Sequence, residues 1–281
     1  MKNSFFLIAG TLLAFNSVIY AAEGLNKKAI TNNPGNSINA VTIQQQKQVA
    51  SATVIFARKQ VPILCYHHIR ALAPGKKTRD YEVVPADFAA QMKALSDNGY
   101  KTILPDQLYN YLAFGGPLPL KPVMITFDDT DEEQFTIGKK ELDKYNFKGV
   151  FFVMTVSMNR PHYLTTAQIK QLAAEGNVVS SHTWDHHMVT KYNADDWVKQ
   201  LVKPRKKLED IIGQKIDYFA YPFGLWNDAA IKKLKESGFK LAFALTSKRS
   251  VTDPLFTVRR TLVPGNWSVK QMLAAMVSYF H

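Results

Sequence analysis

The sequence predicts an α/β barrel, and three observations predict it. From Val61 onward, short apolar runs alternate with stretches of helical periodicity in six to eight units, the rhythm of parallel strands joined by helices packed outside them. The chain has 281 residues, 46% of them hydrophobic, which suffices for one large core, and a barrel of ~250 residues in a single domain is ordinary. Finally, four predicted strands end in residues that can do chemistry. If the strands are parallel, all four clusters share the C-terminal mouth, where barrel enzymes hold their sites.

Residues 1–22 carry Lys2, an apolar stretch from Phe5 to Tyr20 and then Ala21-Ala22-Glu23, the three-part pattern of a secretory signal. Cleavage near Ala22 and export are expected, with an uncleaved N-terminal anchor as the alternative. Residues 23–58 are rich in Asn, Gln, Lys and Ala, with a turn at Asn32-Asn33-Pro34-Gly35-Asn36, and read as a polar extension or linker ahead of a domain at 59–281.

The formal charge of +12 becomes +11 if Lys2 leaves with the signal. Such a balance favours peripheral contact with anionic envelope polymers or membrane surfaces, while lysines on helices, such as Lys139, Lys206 and Lys232, read as solvated surface. No nucleic-acid motif is present, and no nucleic-acid partner is expected. Cys65 is the single cysteine; it lies in an apolar run with no disulfide partner and reads as a buried inert thiol.

Taken in order, residues 61–66 read as the first strand, 85–98 as a helix with Phe88, Met92 and Leu95 on one face, 101–104 as a strand and 107–114 as a helix. Residues 123–127 form the strand around which the chain is organised, an apolar run that stops on Asp128-Asp129. Neighbours within a strand point to opposite faces, so both carboxylates can serve one site only where the strand has ended and the backbone turns. A helix at 132–145 and a strand at 149–154 follow. Thr165 caps a helix that stops at Gly176. Strands at 177–181, 218–221 and 240–245 alternate with helices at 194–212 and 228–237, and a last strand at 257–263 precedes a closing helix at 268–280.

The four strand-end clusters are Tyr66-His67-His68, Asp128-Asp129, the run from Ser181 to His187, and Tyr221-Pro222-Phe223-Gly224. Five of the seven histidines fall in two of them. His182 and His186 are spaced i, i+4, which puts both rings on one side if the loop begins a helical turn. Asp129 would complete a set of two histidines and one carboxylate, and three protein ligands leave positions open, as a catalytic metal requires.

Thr126-Phe127-Asp128-Asp129, His182-Thr183-Trp184-Asp185-His186 and Tyr221-Pro222-Phe223-Gly224, in this order, resemble the motifs of the polysaccharide deacetylase family, the NodB-homology group of carbohydrate esterase family 4. The lead-in from Val61 to His67 and residues 149–153 are similar too. The resemblance implies a distorted (β/α)7 barrel that removes acetyl groups from N-acetylated glycans with a divalent metal, commonly zinc, with cobalt, nickel or iron(II) as alternatives. It implies Asp128 as general base and Asp129, His182 and His186 as metal ligands. The backbone N–H of Phe223 would help to stabilise the oxyanion. Such chemistry suits an amide, a poor electrophile, because a Lewis acid polarises the carbonyl and lowers the pKa of water from ~16 towards ~7.

The chain departs from the family pattern in places. Ala220 stands where an arginine usually orients the base, so another cation, Arg259 or Arg260, is expected to steady Asp128. The late histidine that serves as general acid has no match, and His67 is the expected substitute. His187 is the alternative to His186 as second histidine ligand, and Thr130 replaces a common glycine. Tyr221 and Trp184 are expected to contact substrate, and Trp226 and Trp267 could also stack on sugars. An exported N-deacetylase of poly-N-acetylglucosamine, peptidoglycan or a chitin-like oligomer is the expectation. An O-acetyl polysaccharide esterase and a non-catalytic glycan-binding protein on the same barrel are its alternatives.

Overall fold

A computed structural model describes residues 48–280 except 74, 78, 246 and 247. The expected signal at 1–22 and most of the polar extension lie outside them. In chain order the elements are α1 (Ala52–Ala57), β1 (Ile63–Tyr66), a small pair β2 (His68–Ile69) and β3 (Glu82–Val83), α2 (Pro85–Asp97), β4 (Lys101–Thr102), α3 (Pro105–Phe114) and β5 (Pro122–Phe127). A π-helical turn, Gln134–Lys139, leads into α4 (Lys140–Asp143), then β6 (Val150–Val153), α5 (Thr166–Ala174), β7 (Val178–Ser181) and α6 (Ala194–Trp197). A second π-helical turn, Val198–Val202, opens α7 (Lys203–Ile212), and β8 (Tyr218–Ala220), α8 (Asp228–Glu236), β9 (Leu241–Ala244), β10 (Val258–Arg259), β11 (Thr261–Leu262) and α9 (Val269–Tyr279) complete the chain.

The main sheet runs β10-β9-β8-β7-β6-β5-β1-β11, with β4 beside the start of β5. Every pairing in it is parallel. Its two end strands, β10 and β11, are halves of one extended segment broken at Arg260, one half on β9 and the other on β1. The sheet therefore nearly closes into a barrel of seven staves, as expected.

Strand alternation sorts the core. Ile63, Met124, Phe152, Tyr218, Ala220 and Phe243 form one buried cluster, which the parity of the strands puts inside the barrel. Their neighbours Leu64, Ile125, Phe127, Phe151, Phe219 and Tyr221 join a second cluster with Phe88, Met92 and Leu95 of α2, between sheet and helices. Counting on by twos carries the interior set to Asp128 after Met124 and Thr126, to His182 after Ser180, and to Arg260 after Val258.

The helices expected at 132–145 and 194–212 are both interrupted by the π-helical turns. The end of the expected extension is ordered. Ser51 caps α1, Ile55 is buried against α3 and the barrel interior, the Ala50 N–H donates to the Ala113 carbonyl at 2.8 Å, and Arg249 donates to the Phe56 carbonyl at 3.1 Å. Truncating a buried isoleucine to alanine costs about 2–5 kcal/mol. Ile55→Ala is therefore expected to lower the Tm by about 4–20 °C in calorimetry, given 2–4 °C per kcal/mol for a domain of this size. A truly detached extension would leave the Tm unchanged.

Candidate active site

β5 ends at Phe127, and the backbone then turns sharply, with Asp129 and Thr130 both at φ +74°. This turn lets Asp128, at interior parity, and Asp129, beyond the strand, face the same mouth. The Thr130 hydroxyl accepts the Met154 N–H at 2.7 Å and holds the turn to the end of β6. Gln134, almost fully buried, donates to the His67 carbonyl at 3.0 Å and also to the Asp128 carbonyl, tying the tips of β1 and β5 together.

Asp128 is 1% exposed and bound on both oxygens by Arg260, at 2.6 and 2.7 Å. Burial alone would raise its carboxyl, but the guanidinium, with His182, outweighs burial and holds it at about 2. Of the two expected cations, Arg260 fills the role left by Ala220. Arg259, at the opposite parity, reaches Gln60 and the Tyr279 carbonyl.

The loop from Ser181 to His187 is not a helical turn, as the i, i+4 spacing suggested. Thr183 and His186 take φ values of +69° and +66°, and the His186 N–H donates to the Thr183 hydroxyl at 3.0 Å. Gln200, buried in the second π-helical turn, accepts the N–H groups of Trp184 and Asp185 and donates to the Asp185 carboxylate at 2.7 Å. Nothing in sequence spacing marks Gln134 or Gln200; only their burial and bonding reveal them.

Within this frame Asp129 Oδ1 lies 3.5 Å from both His182 Nε2 and His186 Nε2. The His182 Nδ1 faces the Ala220 carbonyl at 2.8 Å, so that nitrogen carries the proton and the Nε2 lone pair points at the cluster. Both His182 Nε2 and Asp129 Oδ1 are buried without a hydrogen-bond partner. Burial would raise Asp129, but the histidines, His182 foremost, bring it well below the usual carboxylate range. Burial, aided by the neighbouring His182, lowers His186 to about 4; burial also opposes protonation of His182, but Asp128 and Asp129 overcome it there.

These three residues fit a divalent metal. Four donors arranged tetrahedrally at 2.0–2.1 Å stand about 3.4 Å apart, close to the separations observed. His187 takes no part; it is exposed and its ring packs on Tyr192. A second group, Cys65, His67 and Asp128, has its donor atoms within 4.8 Å of one another. It does not suit a metal, because burial pushes the Cys65 thiol up and Arg260 already occupies both oxygens of Asp128.

Phe223 follows β8 at φ +59°, half exposed, with its ring 4.4 Å from that of His186. Gly224 behind it, at φ +67°, lies so close to β9 that a Cβ would stand 2.3 Å from the Leu245 nitrogen. Gly224→Ala must move backbone, and an overpacking cost of about 2 kcal/mol is expected to lower the Tm and to disturb Phe223 beside His186. Unchanged melting would contradict this close approach.

Tyr221, expected to contact substrate, is corrected: it is fully buried, and its hydroxyl donates to the Phe256 carbonyl at 3.1 Å. Its strand parity turns it to the outer layer. Trp184 is half-buried on the histidine loop, with the Lys199 ammonium 4.3 Å from its ring centre. Trp226 and Trp267 pack against the outer cluster.

Residues 115–242 match the family model described as polysaccharide deacetylase, and this stretch holds Asp128, Asp129, His182, His186 and Phe223. Over this stretch the chain resembles the polysaccharide deacetylase family. It is 29% identical over 203 residues to the putative polysaccharide deacetylase YxkH of Bacillus subtilis, covering 72% of this chain and 71% of that protein. It is 25% identical over 209 residues to a poly-beta-1,6-N-acetyl-D-glucosamine N-deacetylase of Staphylococcus aureus, covering 66% and 72%. Among solved structures, the Streptococcus pyogenes deacetylase PplD in complex with acetate matches with a TM-score of 0.72 and 25% identity, over 77% of this chain and 98% of that one. Arg260 lies beyond the stretch that the family model covers.

Proposed function

We propose that the protein is an exported, metal-dependent N-deacetylase of N-acetylglucosamine-type glycans. The observation that carries this reading is the triangle of Asp129, His182 and His186, with two of its donor atoms buried and unpartnered, beside a carboxylate fixed by Arg260. The S. aureus relative, named for poly-N-acetylglucosamine, supports the substrate class, and the pattern in residues 1–22 supports export.

Asp129, His182 and His186 would hold the metal, zinc foremost given two imidazoles and a carboxylate, with cobalt, nickel or iron(II) fitting the same donors. When bound, it supplies Lewis acidity towards the amide carbonyl. Asp128, ionised and held on both oxygens by Arg260, takes a proton from the attacking water. The Phe223 N–H, set by the turn after β8, is placed to stabilise charge on the carbonyl oxygen. His67, whose protonation burial opposes, lies within 4.8 Å of Asp128 and passes that proton on to the leaving amine.

The test is amine release from N-acetylglucosamine oligomers and from peptidoglycan, using protein stripped by a chelator and then reloaded with zinc. Release that vanishes on stripping and returns on reloading is the expected result. In the same assay His182→Ala and Asp129→Asn are expected to lower bound metal, measured by elemental analysis, along with turnover. Full metal loading without release from either glycan would turn the reading to O-acetyl substrates or to a glycan-binding role.

A further inference from the structure

Ten lysines among the described residues pair with carboxylates. Lys139 meets Asp143, Lys206 meets Asp210, Lys233 meets Glu236 and Lys240 meets Asp217. Three lysines without such a pair stand together on the second π-helical turn and α7. Lys199, Lys203 and Lys207 form no ion pair among the described residues, yet all three line one cavity of about 330 Å³ with Thr155, Trp184 and Pro204.

The position of this cavity is informative. One wall is Trp184, which lies between His182 and His186 on the loop anchored by Gln200. Another is Thr155, just past the end of β6, whose N–H donates to the Thr183 carbonyl and whose own carbonyl accepts the Lys207 ammonium at 3.4 Å. The three cations therefore adjoin the mouth of the barrel, at the side of the metal-ligand loop. No carboxylate lines this concavity, and the three ammonium groups gathered in it focus a positive field there.

We infer that the cavity of Trp184, Lys199, Lys203 and Lys207 is an anion-recognition subsite, which takes a carboxylate or phosphate carried by the glycan near the reacting N-acetyl sugar. The inference rests on the deacetylase reading and sharpens its substrate. Deacetylation of a plain N-acetylglucosamine polymer leaves an amine that is cationic at neutral pH, and unpaired lysines would repel a strand that accumulates such groups. They would instead attract a glycan with acidic substituents and steer it to the mouth, with a dependence on ionic strength that neutral glycans lack. The Trp184 ring offers a flat apolar face beside the charges for a sugar.

The experiment compares the full-length wild type with Lys203→Gln/Lys207→Gln on three oligomers. One is neutral N-acetylglucosamine, one contains N-acetylmuramic acid and so bears carboxylates, and one is phosphate-substituted N-acetylglucosamine. The wild type is expected to prefer one or both charged oligomers, with the preference falling as salt rises. The double variant is expected to lose about tenfold in kcat/KM on them, mostly through KM, while changing by less than about twofold on the neutral one. The two charged oligomers distinguish carboxylate from phosphate as the group recognised. Equal loss on all three, or no loss on any, overturns the subsite. If the wild type releases no amine from any oligomer, calorimetric binding decides. A charge preference that the double variant abolishes keeps the subsite and rejects the deacetylase, while equal binding of charged and neutral oligomers rejects the subsite.

Discussion

Asp128→Asn is expected to reduce turnover on N-acetylated glycan by about 10²–10⁴-fold, the usual worth of a general base, with bound metal unchanged. The asparagine keeps the shape and one acceptor oxygen, so Arg260 retains a partner, but the side chain cannot accept a proton at neutral pH. Metal content stays because Asp128 is not one of the three donors that converge; its nearest contact with them is His182 Nε2 at 3.8 Å. Burying the guanidinium opposite a neutral amide costs stability, so the variant is compared at a temperature where its circular dichroism matches wild type. Loss of turnover together with loss of metal would reassign Asp128 to the metal. Retained turnover would remove it from the chemistry.

Much of this arrangement was legible in the sequence, for a definite reason. The strands are buried on both faces, so they stand out as apolar runs, and parallel pairing sends every strand end to one mouth. Asp128-Asp129 and the histidine loop could therefore be brought together without knowing any side-chain position. Strand parity, applied further, would have preferred Arg260 to Arg259, two steps from Val258, and would have sent Tyr221 outward with Phe219. What parity cannot reach is loop conformation. The left-handed residues Asp129, Thr183, His186 and Phe223 are not glycines, so no residue type announced them, and the histidine loop reads as the start of a helix when it is a turn. The π-helical turns were hidden similarly, because one extra residue in a turn barely alters an apolar stripe. Helix α1 is only six residues long, too short to show periodicity, and its order comes from Ile55 docking on the barrel.

Removing Arg260 is expected to have the largest effect on stability of any single change. The pair with Asp128 is wholly buried, and breaking a buried ion pair by deleting one partner costs about 3–5 kcal/mol because the other charge is left unpaired. Arg260→Met should accordingly lower the Tm by roughly 10 °C. The acid side of the stability profile distinguishes this loss from simple repacking. Asp128 is held at about 2 in the folded protein, below its value of ~3.9 in an unfolded chain. Its contribution is therefore present above pH ~4 and is lost as pH falls towards 2. Without the guanidinium, burial is left as the leading influence and raises the carboxyl, so that contribution disappears and the variant should lose less stability than wild type between pH ~4 and ~2. Turnover at neutral pH should fall as well, since a base that has become protonated cannot accept a proton. Arg260→Lys should recover part of the stability but less of the activity, because a single ammonium cannot hold both oxygens of Asp128 in the fork that the guanidinium provides. Chemical denaturation across this pH range, alongside turnover of the two variants, checks each step. Equal acid sensitivity in wild type and Arg260→Met would show that the guanidinium does not set the ionisation of Asp128.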